Sequence, residues 1–204
     1  MNFPSLLLFD LGGVLIESSA FESLSRLLPE PLDRTAIKDQ WLFSPSVRRF
    51  ERGEISSCEF AESFIAEWGL RMTPQVFVKE FASWPREFFP GARETIHHLR
   101  KNYQVGCLSN SNPLHWERFR GLEDDFDIAL FSHLLGAIKP DLEIFTLALG
   151  RCDVDPAEVY FFDDCSANVD TAQSLGITAF HVDGFQSLQN VLLSQGLLSN
   201  AVER

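Results

Sequence analysis

The chain has 204 residues, of which 45% are hydrophobic and 23% charged, as expected for one soluble domain or one core with a modest insertion. Its net charge of −12 argues against nucleic acid or an anionic membrane as the main partner. A protein this acidic needs a local cation to bind an anionic substrate, so a metal ion is an attractive hypothesis. The four cysteines form no CxxC pair, a usage typical of a reducing cytoplasm rather than of disulfides or a zinc site.

The apolar amino terminus is not typical of a signal peptide. It lacks a positively charged beginning, and Asp10 interrupts it after a few residues. Elsewhere no apolar run approaches the length needed to span a membrane. We therefore predict a cytoplasmic protein with no membrane partner.

The first predicted element is a strand over residues 6–9. Four apolar residues run directly into Asp10, and Gly12 and Gly13 follow. An apolar run bounded by glycine is typical of a strand buried on both faces in a parallel sheet. Asp10 then lies at the carboxyl end of the strand, where open α/β sheets bind their ligands. The glycines let the backbone turn tightly and approach a bound group.

Residues 17–86 are predicted to form a small all-helical cap, inserted after the first strand and lying over its carboxyl end. Apolar residues recur there at helical spacing, and Ser57 begins one of the helices. Segment 48–54 contains the clustered cations of this region. Its charge pattern favours a solvated helix end, and the alternative is a positive rim facing an anionic substrate. The apolar positions are Phe21, Leu24, Leu27, Leu28, Phe60, Phe64, Ile65 and Trp68.

After the cap, helices and strands alternate along the rest of the chain. The predicted helices cover 92–101, the surroundings of Trp116 and Phe119, 142–149, 169–175 and 188–193. The predicted strands cover 103–108, 128–131, 159–162 and 177–182. Strands that alternate with helices form a parallel sheet with right-handed crossovers. The predicted fold class is therefore α/β, with a Rossmann-like doubly wound core of residues 1–16 and 87–204 and a cap of residues 17–86.

Polar residues follow directly after the buried strands of this sheet. Asp10, Ser109 and the pair Asp163-Asp164 each come after such a strand, and Lys139 lies in the loop after the third one. Because the carboxyl ends of parallel strands share one side, we expect these residues to converge. Three carboxylates together repel one another unless a cation joins them, and hard oxygen ligands suit Mg²⁺. A metal, a carboxylate, a hydroxyl and a lysine are what phosphoryl transfer through an aspartyl-phosphate requires.

Four segments also resemble the motifs of a known family. They are FDLGGV at 9–14, LSN at 108–110, Lys139-Pro140, and FDD at 162–164 with Asn168. In order and over nearly the whole chain, they resemble the four motifs of the haloacid dehalogenase-like hydrolase superfamily. The insertion resembles that superfamily's helical cap. Within the superfamily, the likeness is greatest to bacterial sugar-phosphate phosphatases that have Asp-Leu-Gly in the first motif.

The resemblance implies a Mg²⁺-dependent phosphatase that acts on a small phosphorylated metabolite. Asp10 is then both the nucleophile, which becomes an aspartyl-phosphate, and a ligand of the metal. The Gly12 carbonyl and Asp164 are implied as further ligands, and Asp163 assists directly or through water. The expected enzyme is a monomer or a homodimer.

The resemblance also assigns residues to the transferring phosphoryl group. Ser109 and Lys139 are implied catalytic residues, and Lys139 also offsets the charge of Asp10 and keeps it ionised. The implied contacts to the substrate phosphate come from Ser109, the backbone N–H of Asn110, Lys139, Gly12 and Gly13.

One position departs from the family pattern. Most phosphatases of the superfamily carry a second aspartate two residues after the nucleophile, which acts as general acid and then as general base. Here that position is Gly12, and general acid–base help is typically worth about 10²–10⁴-fold. Substrates with good leaving groups lose least from its absence. Alternatively, water or one of Asp163, His115 and Glu51 supplies the proton.

Two other functions are open to this sequence. A 2-haloacid dehalogenase also lacks the second aspartate and uses no metal, but the pair Asp163-Asp164 would repel the carboxylate of a haloacid. A catalytically weak regulatory or binding protein on the same fold is the other alternative, because a fold does not determine a function. Retention of Asp10, Ser109, Lys139 and the acidic pair argues against it.

Overall fold

The computed structural model describes residues 4–198, in which a five-stranded parallel sheet forms the centre. In chain order the strands are β1 (Leu6–Phe9), β2 (Ile16–Ser18), β3 (Pro85–Phe88), β4 (Gln104–Ser109), β5 (Ile128–Phe131), β6 (Val159–Asp163) and β7 (Thr178–His181). The central sheet has the order β5-β4-β1-β6-β7. The chain therefore builds outward from β1 on one side and then on the other, which confirms the predicted doubly wound α/β fold.

Eleven α-helices lie within the described part of the chain, five of them between β2 and β3. They are α1 (Ala20–Leu27), α2 (Arg34–Phe43), α3 (Pro45–Glu51), α4 (Ser57–Trp68), α5 (Pro74–Ala82), α6 (Ala92–Leu99), α7 (Pro113–Arg118), α8 (Ser132–Leu135), α9 (Leu142–Cys152), α10 (Ser166–Ser174) and α11 (Phe185–Ser194). Short 3-10 turns cover Leu122–Asp125 and Pro156–Glu158. Within residues 4–198, none of these helices combines the length and the apolar character that crossing a bilayer requires.

The central strand β1 is buried on both faces, as its uninterrupted apolar sequence predicts. Alternate side chains of a strand point to opposite faces of the sheet. Leu7 and Phe9 accordingly pack in one core cluster with residues of α6 and α11, and Phe9 stacks on Phe162 of the neighbouring β6. Leu6 and Leu8 pack in a second cluster with residues of α9 and α10. Helices therefore cover both faces of the sheet, and its carboxyl-end edge is where a site can form.

The five helices between β2 and β3 have an aromatic core of their own. Phe50 stacks on Phe60 with ring centroids 4.2 Å apart, and Phe64 stacks on Phe77 at 4.8 Å. The helix start predicted at Ser57 is confirmed, because Ser56 caps α4 and shares a reciprocal capping box with Glu59. The division of the chain into a cap of 17–86 and a core of 1–16 and 87–204 stays a prediction, and residues 1–3 and 199–204 of it lie outside the described residues.

The sequence interpretation missed the short antiparallel pair β2 and β3, which connects the helical insertion to the sheet. These strands are too short for apolar alternation to reveal them. Several boundaries also shift by one to three residues. Helix α9 continues past the predicted end at Leu149 and ends at Cys152, because the buried Cys152 packs in the core. Ser109 and Asp163 are the last residues of their strands rather than the first residues after them.

Arg48 and Arg52 of the cationic segment 48–54 bind the core instead of facing solvent or substrate. Arg48 donates to both carboxylate oxygens of Asp141 at 2.7 Å, and Arg52 also bonds to Asp141. Arg49 pairs with Glu54 at 3.8 Å. Neither sequence interpretation of the segment, a solvated helix end or a positive rim, is correct for Arg48 and Arg52. Because Asp141 follows Lys139 by two residues, these ion pairs fix the end of α3 next to the predicted site.

Gly53 makes this contact between insertion and core sterically possible. Its φ is +74°, and a Cβ there would lie 2.6 Å from the carbonyl oxygen of His133. Gly69 is a matched control, because its φ of +65° carries the same backbone strain while its Cβ would come no closer than 3.8 Å to Pro29.

We expect Gly53→Ala to lower the free energy of unfolding by about 2–4 kcal/mol, because left-handed strain adds to the clash with His133. For Gly69→Ala we expect about 1–2 kcal/mol, from the strain alone. Chemical denaturation of the two variants measures both values. Equal losses would show that the segment around Gly53 yields to the added side chain.

Candidate active site

The predicted polar residues converge at the carboxyl ends of β1, β4 and β6, where the strand order reverses. A cavity of about 540 Å³ opens there between the helical insertion and the sheet. Core residues on its wall include Asp10, Gly12, Gly13, Ser109, Asn110, Lys139, Asp164 and Asn168. The insertion contributes Phe21, Arg34, Lys38, Trp41 and Glu51. Asp163 lies directly behind this wall and is fully buried.

Lys139 is the centre of the polar cluster and is 1% exposed. Its ammonium donates to Asp10 Oδ1 at 2.8 Å, to Asp163 Oδ2 at 2.6 Å and to the Leu108 carbonyl at 2.7 Å. Burial opposes the charge, but the two carboxylates raise the pKa of Lys139 above its ordinary value. All three donors of the ammonium are therefore used, and the lysine stays charged.

The side chain of Asn110 positions the lysine. Its Nδ2 donates to the Lys139 carbonyl at 3.0 Å, and its Oδ1 accepts from the Lys139 backbone N–H at 2.9 Å. This amide therefore joins the loop after β4 to the loop that carries Lys139. The sequence predicted a role for the backbone N–H of Asn110 and gave no signal for this side-chain contact.

Asp163 has no oxygen left for a further partner. Its Oδ1 accepts from the Cys165 backbone N–H at 2.8 Å and from Asn168 Nδ2 at 2.9 Å, and its Oδ2 accepts from Lys139. Its predicted direct role as a metal ligand stays a prediction. The geometry favours the other predicted form, in which Asp163 assists from behind, because it holds Lys139 and the start of α10 in place.

Asp10 and Asp164 differ from Asp163 because each keeps an oxygen without a hydrogen bond among the described residues. Asp164 Oδ2 accepts from Lys38 at 3.0 Å, and Asp10 uses only Oδ1. Carboxylate oxygens of Asp10, Asp163 and Asp164 lie within 4.8 Å of one another. Gly13 permits this approach, since a Cβ at its φ of +79° would lie 3.0 Å from Asp164 Oδ2.

The charges of this cluster do not balance. Burial raises the pKa of Asp10 to about 7, Asp163 and Asp164 add to the effect, and Lys139 opposes it. Three carboxylates face the ammonium groups of Lys139 and Lys38, so one negative charge is in excess. A hard divalent cation fits this set, because Asp10 and Asp164 both line the cavity and each keeps a carboxylate oxygen without a hydrogen bond among the described residues.

Two predicted site residues remain available on the cavity wall. The hydroxyl of Ser109 makes one long bond, 3.3 Å, to the neighbouring Asn110 carbonyl. Gly12 lies beside Asp10, and a Cβ there would meet nothing within 4 Å. The backbone of Gly12 therefore does not need glycine, unlike that of Gly13.

Sequence reasoning missed the contribution of α2. Lys38 and Arg34 lie one turn apart on this helix, and both cations lie over the ring of Phe21, at 5.5 and 5.9 Å. The i, i+4 spacing of two cations was a visible signal, but only the tertiary contact between Lys38 and Asp164 shows which way this face points. Trp41 of the same helix both packs against the aromatic core of the insertion and lines the cavity.

Together the fold and the site define an α/β enzyme with a buried aspartate–lysine pair at the switch of strand order, below a helical insertion. A family model described as haloacid dehalogenase-like hydrolase matches residues 4–176. The chain belongs to this family, which confirms the resemblance seen in the four motifs.

Two of the similar proteins are named as phosphatases of a phosphorylated polyol or of phosphorylated carbohydrates. D-ribitol-5-phosphate phosphatase of Bacteroides thetaiotaomicron is 27% identical over 184 residues, which are 85% of this chain and 89% of the relative. Phosphorylated carbohydrates phosphatase of Thermotoga maritima is 36% identical over 92 residues, which are 43% of each chain.

Solved structures of other proteins superpose on most of this chain. An enzyme of the family from Bacteroides thetaiotaomicron, in complex with magnesium and inorganic phosphate, superposes with a TM-score of 0.70 at 26% identity, over 88% of this chain and 94% of that one. The L-2-haloacid dehalogenase of Xanthobacter autotrophicus superposes with a TM-score of 0.63 at 20% identity, over 97% and 85% of the two chains. At that identity the second match shows the fold alone.

The buried cluster predicts a pH-dependent stability for Lys139→Met. Removing the ammonium leaves Asp10 and Asp163 without their cation, so the folded-state pKa of Asp10 rises further above its ordinary value of 3.8. The penalty is absent below that value and grows as the pH rises through it, because only the ionised carboxylates suffer.

We therefore expect Lys139→Met to lose about 3–5 kcal/mol of unfolding free energy at pH 8 and clearly less at pH 5, measured in EDTA. The control Lys101→Met removes an exposed lysine and changes little at either pH. A loss that did not vary with pH would contradict the charge argument.

Proposed function

We propose that this protein is a Mg²⁺-dependent phosphatase that hydrolyses a small phosphorylated metabolite through an aspartyl-phosphate on Asp10. The observation that carries the proposal is the state of Asp10 itself. It lies on the cavity wall with one oxygen bonded to Lys139 and the other free to attack phosphorus. A carboxylate in this position is a competent nucleophile when cations offset the charge of the incoming phosphate.

The core residues divide the work of phosphoryl transfer. Lys139 holds Asp10 by one oxygen, which fixes the direction of the other and favours its ionised form. Ser109 and the backbone N–H of Asn110 bind phosphoryl oxygens from the end of β4. Asn110 also holds Lys139 through its side chain, so the lysine and the phosphate-binding loop form one rigid unit.

The metal would be held by Asp10, Asp164 and the carbonyl of Gly12, with Asp163 acting through Lys139 and through water. When bound, Mg²⁺ neutralises charge on the phosphoryl oxygens and orients the group toward the nucleophile. The donor set fits this ion because it consists of hard oxygens with one negative charge in excess. Lys38 donates to Asp164 Oδ2 and offsets part of that charge.

Both kinds of comparison support a phosphatase of small molecules. The relatives named above act on ribitol 5-phosphate and on phosphorylated carbohydrates, and the superposed Bacteroides enzyme contains magnesium and phosphate. A cavity of about 540 Å³ also suits a metabolite rather than a macromolecule. We further propose that the protein acts in the cytoplasm without nucleic-acid or membrane partners, as a monomer or a homodimer.

Metal removal separates this function from its alternatives. We expect phosphate release from 4-nitrophenyl phosphate and a sugar 1-phosphate in Mg²⁺, and loss of it by at least about 10²-fold in EDTA. Chloride release from 2-chloropropionate in EDTA would identify a dehalogenase instead. Absence of both activities would favour a binding or regulatory protein.

Asp10→Asn tests the nucleophile. Asparagine keeps a hydrogen-bond acceptor for Lys139 but cannot attack phosphorus, so we expect turnover to fall by at least about 10⁴-fold while the protein stays folded. Asp39→Asn is the matched control, because Asp39 lines the same cavity, is exposed and forms no ion pair or side-chain hydrogen bond among the described residues. Substantial turnover by Asp10→Asn would remove Asp10 as the nucleophile.

A further inference from the structure

The proposed phosphatase lacks an obvious proton donor for the leaving group, and the following inference rests on that proposed function. Cleavage of an alkyl phosphate leaves an alkoxide, a poor leaving group that needs a proton as the P–O bond breaks. Gly12 has no side chain to supply it. Three titratable side chains at or directly behind the cavity wall are candidates for this proton: Asp163, His115 and Glu51.

Asp163 and His115 are both unsuited to the task. Asp163 is fully buried, and both of its oxygens accept hydrogen bonds from Lys139, Cys165 and Asn168. The ring of His115 has partners at both nitrogens, Asn112 and the Phe81 carbonyl, and burial lowers its pKa to about 4. At neutral pH this imidazole has no proton to give and no free edge.

Glu51 is different on both counts. Its residue is 7% exposed, its side chain lines the cavity with Asp10 and Lys139, and it forms no hydrogen bond or ion pair among the described residues. A largely buried carboxyl that is paired with no cation loses solvation, so its retention on the wall of a reaction cavity calls for a function.

The placement of Glu51 is also rigid. It is the last residue of α3, and the neighbouring Arg48 and Arg52 fix that helix end to Asp141. Gly53 packs directly on the carbonyl of His133. The carboxyl is thus held at the cavity wall by the insertion, whereas Asp10, Ser109 and Lys139 on the same wall belong to the core.

The surroundings of Glu51 favour its protonated form. Burial raises its pKa to about 8, with Asp10 adding to the rise and the cations of Lys139 and Arg48 opposing it. At neutral pH the group therefore carries a proton, as a general acid requires.

We propose that Glu51 is the general acid and base of this enzyme and replaces the missing side chain at position 12. In the first step Asp10 forms a bond to phosphorus, the bond from phosphorus to the leaving oxygen breaks, and the Glu51 proton moves to that oxygen and releases an alcohol. In the second step a water oxygen attacks phosphorus while Glu51 takes a proton from that water, the bond between Asp10 and phosphorus breaks with its electron pair returning to the carboxylate, and inorganic phosphate leaves. Both side chains return to their starting states.

Glu51→Gln tests this role through its dependence on the leaving group. Glutamine keeps the size and polarity of the side chain but donates no proton. The readout is kcat/KM in Mg²⁺, which reports the steps up to alcohol release, for D-ribitol 5-phosphate and for 4-nitrophenyl phosphate. We expect a loss of about 10²–10³-fold on the alkyl ester and less than about 10-fold on the aryl ester, whose leaving group needs no proton.

The control is Glu54→Gln, which neutralises an exposed glutamate of the same segment that does not line the cavity. It should leave both values near those of the wild type. The ratio of the two values within one preparation does not depend on how much of the protein is folded, so Glu51→Ala serves as a second variant and should show the same change in ratio.

Adding Gly12→Asp to Glu51→Gln should restore at least about 10-fold of the alkyl activity, because an acid returns to the other side of the leaving oxygen. The space for it exists, since nothing lies within 4 Å of a Cβ at that position. Equal losses on both esters in Glu51→Gln, or an alkyl activity within about threefold of wild type, would overturn the role of Glu51. A wild-type protein inactive on both esters would instead refute the proposed phosphatase.

Discussion

One buried ammonium group organises the end of the sheet. Lys139 bonds at once to Asp10 after β1, to the carbonyl of Leu108 in β4 and to Asp163 in β6. Each of these groups would be costly to bury alone, and together they satisfy a lysine that has almost no exposed surface. The strand order places the three strands side by side, so a single cation can reach all of them. This contact therefore joins Asp10 and Asp163 to the strand that ends in Ser109.

The insertion and the core contribute to the cavity in different ways. The core fixes the groups that meet the phosphoryl end of a substrate, through short bonds between rigid strand ends. Among the side chains that the insertion contributes to the same cavity, Lys38 pairs with Asp164 of the core and Glu51 has no partner among the described residues. The ion pairs of Arg48 and Arg52 with Asp141 connect the two parts two residues from Lys139. In the proposed mechanism, the packing of the insertion on the core therefore also brings Glu51 to the catalytic residues of the core.

The sequence predicted the strands and helices that have a periodic or continuous apolar pattern. It did not predict the individual ion pairs between distant residues. Uninterrupted apolar runs ending in Asp10 and Asp163 sufficed for the sheet and for the side on which the polar residues meet, because parallel strands have one carboxyl edge. The pair β2 and β3 is too short to show a period. The contacts of Arg48 with Asp141 and of Lys38 with Asp164 join residues 93 and 126 positions apart. Such a pairing leaves no local pattern, so only the structure reveals it.

The two glycines after Asp10 differ in whether the backbone requires glycine. Gly13 needs glycine because of its positive φ and its contact with Asp164. Gly12 has neither constraint, since a Cβ there would meet nothing within 4 Å. The missing side chain is therefore not imposed by the turn after β1. It leaves open the space beside Asp10 that faces the cavity, and a carboxyl held by the insertion, Glu51, can serve a leaving group there. Because Glu51 belongs to the insertion, it protonates only a leaving group that fits between the insertion and the core. Protonation of the leaving group is therefore linked to recognition of the leaving group's shape.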